Sequence, residues 1–274
     1  MNKSFKHIPK EQRKKIVLVC DDIRVHSGVA TVAKEIVVHT AHHFNWVNVA
    51  GAINHPEKGK ALDISPSVNK EAKIEDADVK LYCVDGYAKS LELQQILALE
   101  KPDAVMLITD PRYFKHIFNM EDTIRKQCPL VYLNIWDDYP APMYNKPYYE
   151  ACDLLMGISK QTVNINKLVL SDCDNSKRVF KYVPHGLNHK EFYPIDKDHS
   201  EYEGLQQFRT SVVGENVDYV MFFNSRNIRR KQIPDSMLAF RSFLDSLPKE
   251  KADKCRFVLH TELTTDHGTD LGAV

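Results

Sequence analysis

Residues 217–247 read VDYVMFFNSRNIRRKQIPDSMLAFRSFLDSL. The run 217–223 is rich in β formers and predicts a strand, and the turn 224–231 carries four cations. Pro234, followed by apolar residues at helical spacing, predicts a helix after the turn. A helix N-terminus offers free N–H groups and the positive end of its dipole, and arginine and lysine add charge-assisted hydrogen bonds. The stretch therefore predicts an anion site, with a solvated charged loop as the simpler alternative.

A second strand–loop–helix unit lies near the N-terminus. The apolar run 16–20 predicts a buried strand. One face of the helix that follows consists of Val29, Val32, Ala33, Ile36, Val37 and Thr40. Ser27 has the residue type and position of an N-cap for this helix. Gly28 lets the backbone approach a ligand closely, because glycine has no side chain to obstruct it.

Between these two units, apolar strands alternate regularly with amphipathic helices. The predicted strands are 16–20, 46–50, 79–84, 104–108, 130–135, 154–158 and 179–183. This alternation is typical of an α/β fold, a doubly wound and mainly parallel Rossmann-like sheet with helices on both faces. Residues 51–78 show little periodicity and are expected to form a long loop or a small insertion.

Changes in composition suggest the domain boundaries. Residues 1–14 are expected to form a loosely held basic tail, 15–195 an N-terminal domain, and 196–204 a polar linker. Residues 205–274 then supply one strand–helix–strand unit of a second Rossmann-like domain. Since an ordinary domain of that kind needs roughly 100 or more further residues, the second domain is expected to be partial.

The composition excludes several classes of protein. Lys+Arg and Asp+Glu both total 37, so no global charge attracts the chain to nucleic acid or to an anionic membrane. Six scattered cysteines without a Cys-x-x-Cys pair favour reduced thiols in a cytoplasmic protein over disulfides or zinc. No apolar stretch approaches the ~20 residues of a membrane span. There is also no Gly-x-Gly-x-x-Gly and no P-loop motif.

Two segments carry a family resemblance. Arg226 and Lys231, five residues apart before a helix, resemble the phosphate-binding Arg…Lys pair of GT-B glycosyltransferases, the large retaining nucleotide-sugar family (glycosyl transferases group 1). Residues 182–194, YVPHGLNHKEFYP, resemble the segment that closes the first GT-B domain. Ser225 and Gln232 stand where the family's motif has glycines, and His185 where it has asparagine.

The resemblance implies a glycosyltransferase that moves a sugar from a nucleotide-diphosphate donor to an unknown acceptor held by the first domain. It places the donor diphosphate between Arg226, Lys231 and the loop of Ser27 and Gly28, with no metal and no further cofactor. It makes Asp137 a candidate catalytic residue. Four further residues are expected to line the cleft, namely Trp136, Ser159, His185 and Gly186.

Some features depart from the family or have ordinary explanations. The family often has His-Asp where this chain has Trp136-Asp137, so the role of that histidine has no counterpart here. A helix or turn cap is about as good an interpretation of Asp137, and core packing is the simpler one for Trp136. Glu92 and Glu100 have the family's Glu-x7-Glu spacing but lie in the wrong domain, so we interpret them as structural.

Two alternative functions remain open at the level of sequence. One is a non-catalytic binding or structural half-protein, which would oligomerise or bind a partner through the exposed edge of the second domain. The other is a different GT-B-shaped enzyme, such as a sugar-nucleotide epimerase. The Glu-x7-Glu motif does not occur after residue 200, so that sequence feature does not separate these alternatives.

Overall fold

The computed structural model describes residues 7–274. The chain divides between Gly186 and Leu187 into two compact units, which we call the N-terminal and C-terminal units. This division lies upstream of the predicted linker 196–204, and the last residues of that linker begin a helix. Each unit has a sheet of its own.

The strands of the N-terminal unit number eight among the described residues. They are β1 (Lys14–Asp21), β2 (Phe44–Gly51), β3 (Ala61–Asp63), β4 (Val79–Cys83), β5 (Ala104–Ile108), β6 (Leu130–Asn134), β7 (Leu154–Gly157) and β8 (Val179–Tyr182). Their order in the sheet is β3-β4-β2-β1-β5-β6-β7-β8, and every pair is parallel except β3 with β4. The predicted α/β sheet, mainly parallel, is therefore confirmed.

The helices of this unit connect the strands. They are α1 (Gly28–Thr40), α2 (Ser65–Ala72), α3 (Ser90–Glu100), α4 (Lys115–Phe118), α5 (Glu121–Arg125), α6 (Lys146–Glu150) and α7 (Lys160–Val169). Short 3-10 turns precede β1, α4 and α6.

Strand β1 shows how the sheet is covered on both faces. Val17 and Val19 belong to one buried apolar cluster, while the alternating Leu18 and Cys20 belong to the other. Successive side chains of a strand point to opposite faces, so an unbroken apolar run needs helices on both sides. The first cluster includes side chains of α3 and α7, and the second includes side chains of α1 and α2.

Two segments differ from their predictions. Residues 51–78 contain β3 and α2 and so are not one long loop. The apolar spacing of residues 113–126 predicts one helix between β5 and β6, but the segment is broken into a 3-10 turn (Pro111–Phe114), α4 and α5, although Phe114, Ile117 and Ile124 are all buried. The apolar spacing was interpreted correctly there, but burial of those side chains does not require an unbroken run of helical hydrogen bonds.

The N-terminal residues are partly docked. Residues 1–6 of the predicted tail lie outside the described residues. Arg13 is only 6% exposed, and its guanidinium forms an ion pair with Asp76 at 2.6 Å and donates to the Ile8 carbonyl. The second half of the predicted loose tail is therefore fixed to the sheet domain.

The C-terminal unit contains the predicted strand–helix–strand unit. Its elements are α8 (Tyr202–Val213), β9 (Tyr219–Asn224), α9 (Ile233–Asp245), α10 (Lys249–Ala252) and β10 (Cys255–His260). Strands β9 and β10 form a two-stranded parallel sheet. Phe222 on β9 is 63% exposed, although parallel sheets are usually covered on both faces. Among residues 7–274, no helix is both long enough and apolar enough to cross a bilayer.

Candidate ligand site at the carboxyl edge of the sheet

The order of the strands locates a crevice in the N-terminal unit. Strand β1 pairs with β2 on one side and with β5 on the other, so the direction of winding reverses at β1. In open α/β sheets, ligands bind at such a reversal, outside the carboxyl ends of the strands. The loops that follow β1, β5 and β6 therefore form the candidate site of this unit.

Ser27 is held firmly in the loop after β1. Its hydroxyl accepts the Ala30 backbone N–H at 3.0 Å and so caps α1, as the sequence predicted. The same hydroxyl donates to Asp21 at 2.5 Å, and the Tyr87 hydroxyl donates to the other carboxylate oxygen at 2.9 Å. Burial, together with the Asp21 charge, raises the pKa of Tyr87, so this hydroxyl stays protonated and remains a donor.

Gly28 faces open space. A side chain built at this position would meet nothing within 4 Å, and the residue is exposed. The interior of the protein therefore does not require glycine at position 28. An open surface here is consistent with the predicted close approach of a ligand.

A buried charged cluster beside this loop was missed at the level of sequence. Asp22 is 1% exposed and binds the Arg24 guanidinium through both oxygens, while His55 Nε2 lies 2.9 Å from the same carboxylate. Burial would raise the pKa of Asp22, but hydrogen bonds from Arg24 and His55 outweigh it and the pKa is lowered. Nothing in the irregular stretch around His55 indicates that it returns to the end of β1.

The same cluster contains side chains of the types that bind metal ions. Ligand atoms of His55, Glu57 and Cys83 lie within 4.8 Å of one another. Arg24 lies 3.2 Å from His55 Nε2 and donates to Glu57 at 3.3 Å. A guanidinium therefore supplies the positive charge that these groups face.

The loop after β5 contains a strained residue. Thr109 has φ of 130°, an unusual value for a β-branched residue, and it is only 7% exposed. Such a conformation costs about 1–3 kcal/mol and occurs most often at functional sites. The Tyr132 hydroxyl donates to the Thr109 carbonyl at 2.7 Å. The next residue, Asp110, binds the Arg112 guanidinium through both oxygens.

The loop of Trp136 and Asp137 is held in place by hydrogen bonds from buried polar side chains. The Trp136 backbone N–H donates to Asn134 Oδ1 at 3.0 Å, and its carbonyl accepts the Thr162 hydroxyl at 2.8 Å. Asn134 in turn donates to Asn166 at 2.5 Å, and both amides are fully buried, as is Thr162. Gln161 donates to the Asp137 carbonyl at 3.2 Å.

The two side chains of this loop differ in their surroundings. The Asp137 carboxylate is exposed and has no hydrogen-bond partner among residues 7–274, so it caps neither a helix nor a turn. Trp136 is half-buried against the core, as the simpler interpretation predicted. Its ring donates to the Asp138 carbonyl at 3.0 Å and meets Tyr144 edge-on, with centroids 5.9 Å apart.

Ser159 joins this group, whereas His185 and Gly186 do not. Ser159 caps α7 by accepting the Thr162 N–H at 2.9 Å, so it lies at the helix end that holds the Trp136 loop. His185 and Gly186 follow β8 and are exposed. Gly186 does not have a positive φ, and a side chain there would meet nothing within 4 Å, so the backbone does not require glycine at this position.

The basic turn of the C-terminal unit presents its cations to solvent. Arg226, Arg229, Arg230 and Lys231 are all exposed, and none of them forms an ion pair within the part of the chain that the structure describes. The turn follows β9, forms a 3-10 turn (Arg229–Lys231) and continues into α9 through Gln232, whose φ is 49°. The predicted strand, basic turn and helix are confirmed, while anion binding stays a prediction.

Asn227 anchors this turn and was not singled out from the sequence. It is 2% exposed, and its amide donates to the carbonyls of Glu262, Leu263 and Thr269 and accepts the Thr269 N–H. A side chain at Gly268 would lie 2.4 Å from the Asn227 amide oxygen, so only glycine fits at that position. An asparagine within a run of cations gives no sequence signal for such a role.

Comparison with known proteins bears on the fold. No protein-family profile and no curated protein matches this sequence. The structure is similar to an alpha,alpha-trehalose-phosphate synthase (UDP-forming) from Burkholderia xenovorans, solved with glucose-6-phosphate, with a TM-score of 0.61 and 12% identity. The match covers 90% of this chain and 65% of that chain, so this chain spans less than two thirds of the synthase. The chain has a GT-B-like fold.

Two other solved structures match with lower scores. UGT71G1 from Medicago truncatula, complexed with UDP-glucose, gives a TM-score of 0.47 and 10% identity over 94% of this chain and 68% of that one. The UDP-GlcNAc 2-epimerase of Neisseria meningitidis, bound to UDP-GlcNAc, gives 0.44 and 13% over 91% and 66%. The similarity to the trehalose-phosphate synthase confirms, at the level of fold, the GT-B resemblance stated from the sequence.

Proposed function

We propose that this protein is a glycosyltransferase that uses a nucleotide-diphosphate sugar and whose C-terminal unit binds the donor diphosphate through Arg226 and Lys231. The observation that carries the proposal is the basic turn itself. Its four cations are exposed and unpaired within residues 7–274, and Asn227 fixes its backbone at the carboxyl end of a parallel strand. A solvated charged loop needs no such anchor. The GT-B fold, shared with the UDP-forming synthase, supports the same conclusion.

The chemistry follows from the charge that develops in the reaction. An acceptor oxygen forms a bond to the anomeric carbon, and the bond from that carbon to the diphosphate breaks. The diphosphate leaves with the bonding electron pair, while the acceptor's proton passes to a base. Fixed cations beside the phosphate stabilise the transition state more than the ground state, which is what lowers a barrier. Arginine and lysine supply that charge directly, so we propose that no metal ion takes part.

The N-terminal unit has the acceptor-binding role in this proposal. Asp137 is the candidate catalytic residue, because its carboxylate is exposed and unpartnered within residues 7–274 while its backbone is held by Gln161. Ser27 and Gly28 form a rigid loop with an open surface at the reversal point of the sheet. Roles for His185 and Gly186 stay predictions.

Titration calorimetry with UDP and GDP tests the donor site. We expect Arg226→Ala and Lys231→Ala each to weaken binding of the preferred nucleotide by roughly 1–3 kcal/mol, about 5–150-fold. Arg229→Ala and Arg230→Ala should cost less, and Lys249→Ala, an exposed lysine on α10, should cost nothing. Equal losses at all four cations of the turn would indicate diffuse charge attraction and would contradict the proposed pair.

Product analysis separates this proposal from its alternatives. Incubation with UDP-sugars and a panel of acceptors yields a glycosylated acceptor in the case of a transferase and an epimerised donor sugar in the case of an epimerase. Nucleotide binding without turnover, in this chain and in any longer natural form, would favour a non-catalytic protein.

A further inference from the structure

Five large side chains form a patch on the loops that follow β5 and β6. We call it the aromatic patch; its members are Tyr113, Trp136, Tyr139, Met143 and Tyr144. Four of them are more than half exposed, namely Tyr113 (61%), Tyr139 (51%), Met143 (54%) and Tyr144 (64%). Trp136 is half-buried and meets Tyr144 edge-on. Such a concentration of exposed apolar side chains marks an interaction site.

Two parts of the patch are held in place. Trp136 is fixed through its backbone, through its ring N–H and through the edge-on contact with Tyr144. Tyr113 packs against Tyr87, with ring centroids 5.6 Å apart. A ligand would therefore meet ring surfaces that are already in place.

Carboxylates are interspersed with these rings. Asp110 binds the Arg112 guanidinium through both carboxylate oxygens and so neutralises the positive charge of that arginine. The carboxylates of Asp137 and Asp138 form no ion pair within the described residues, although Asp138 accepts the Tyr139 backbone N–H. The loop after β6 therefore combines aromatic side chains with two carboxylates that form no ion pair within the described residues.

We propose that the aromatic patch binds an uncharged carbohydrate and that this carbohydrate is the acceptor. Ring faces cover the apolar C–H face of a sugar, and ionised carboxylates only accept hydrogen bonds, which sugar hydroxyls donate. This inference rests on the proposed function for the role of the carbohydrate as acceptor.

Two other classes of ligand fit less well. Asp and Glu are depleted from the cores of protein–protein interfaces, whereas here they lie among the rings. An anionic ligand, such as a sugar phosphate, would meet two unpaired carboxylates and an arginine already neutralised by Asp110. The acceptor therefore differs in charge class from the glucose-6-phosphate bound to the trehalose-phosphate synthase.

The test is an array of immobilised glycans, both neutral and anionic, probed with the fluorescently labelled chain in the absence of nucleotide. We expect binding to a subset of neutral glycans and none to sialylated or phosphorylated ones. A hit is then titrated in solution as the free oligosaccharide, beside glucose-6-phosphate. Trp136→Ala and Tyr144→Ala should each weaken binding about tenfold or more. Phe208→Ala, which removes an aromatic ring 65% exposed on α8, should have no effect.

The outcomes are distinct. Tyr144 is exposed, so its alanine variant is expected to fold, and thermal unfolding checks this for both variants. Three results would each overturn the inference. They are the binding of no neutral glycan, stronger binding of glucose-6-phosphate than of the neutral oligosaccharide, and glycan binding that neither substitution weakens. Since the array contains no nucleotide, glycan binding can succeed while UDP binding fails, and the reverse. Failure of this inference is therefore separable from failure of the proposed donor site.

Discussion

Asn227 and Thr269 are joined through both ends of the Asn227 amide. The nitrogen donates to the Thr269 carbonyl at 2.7 Å, and the oxygen accepts the Thr269 backbone N–H at 3.1 Å. The Thr265 hydroxyl donates to the Asn227 carbonyl at 2.5 Å. The two loops that follow β9 and β10 are therefore held together by one buried side chain, and the exposed cations extend from a backbone that this side chain fixes.

Replacing Asn227 should loosen the basic turn. Asn227→Leu leaves backbone groups of Glu262, Leu263 and Thr269 without partners, and we expect a loss of about 2–4 kcal/mol in local stability. Hydrogen exchange read by mass spectrometry on peptides covering 224–231 and 262–269 measures it. Gln206→Ala, an exposed amide on α8, is the matched control. Unchanged exchange in both peptides would contradict the anchoring role.

Gly268 should be equally intolerant of a side chain. The new methyl group of Gly268→Ala would lie 2.4 Å from the Asn227 amide oxygen and 2.5 Å from its carbonyl oxygen, so one loop must move. We expect faster exchange in the same two peptides and weaker UDP binding. Gly204→Ala is the control, because a side chain there meets nothing within 4 Å. Wild-type behaviour of the Gly268 variant would show that the loops have room to adjust.

The fold was predictable because its signals are local. Continuous apolar runs such as 16–20 indicate a strand buried on both faces, and Ser27, a serine before an apolar helical face, caps α1 as expected. Helix α2 was missed because its sequence is polar and Val68 is its only buried apolar side chain. Helix α8 was missed because its start lies in a run of charged residues that resembles a linker.

The candidate site was less predictable, since it is built from distant segments. Asp22 and His55 are adjacent in space only because β2 lies beside β1, and Asn227 matters only because the loop after β10 returns to it. The sequence separation between Asp22 and His55, or between Asn227 and the loop after β10, matches no helical or strand period. Asp137, Arg226 and Lys231 are candidates that come from the family resemblance, and their roles stay predictions.

Glu100 should make the N-terminal unit sensitive to acid. It is 4% exposed, and its carboxylate accepts hydrogen bonds from Lys15, Lys80 and Tyr82. Burial would raise its pKa, but these three donors outweigh burial and lower the pKa from 4.5 to about 2. A group whose pKa is lowered on folding stabilises the protein above its unfolded pKa, so this stabilisation is lost as the pH falls from 4.5 to about 2.

Urea unfolding between pH 6 and pH 2 measures this effect. Tryptophan fluorescence reports the N-terminal unit alone, because both tryptophans, Trp46 and Trp136, lie in it. Glu100→Gln should be less stable than the wild type at pH 6, and the difference should shrink as the pH is lowered. Glu11→Gln, an exposed residue of the first 3-10 turn, should follow the wild type at every pH. A constant difference for Glu100→Gln would contradict the linkage.

Asp137→Asn should reduce turnover while leaving folding and UDP affinity unchanged. Its side chain has no partner within residues 7–274, so the substitution removes charge without breaking a contact. A residue that handles a proton or charge in the reaction is worth roughly 10²-fold or more in kcat. The measurement is steady-state transfer by the longest natural form that contains this chain. Asp122→Asn, an exposed carboxylate in α5, is the control.

The same assay distinguishes chemistry from positioning. Thr162→Val removes the hydroxyl that donates to the Trp136 carbonyl and leaves the Asp137 carboxylate intact. Because the loop then loses one support, we expect lower stability by about 1 kcal/mol and a smaller fall in kcat than for Asp137→Asn. The fluorescence of Trp136 should also change, measured in a Trp46→Phe background. If Asp137→Asn retains full kcat while Thr162→Val does not, the loop acts through Trp136 and its backbone, and Asp137 is not catalytic.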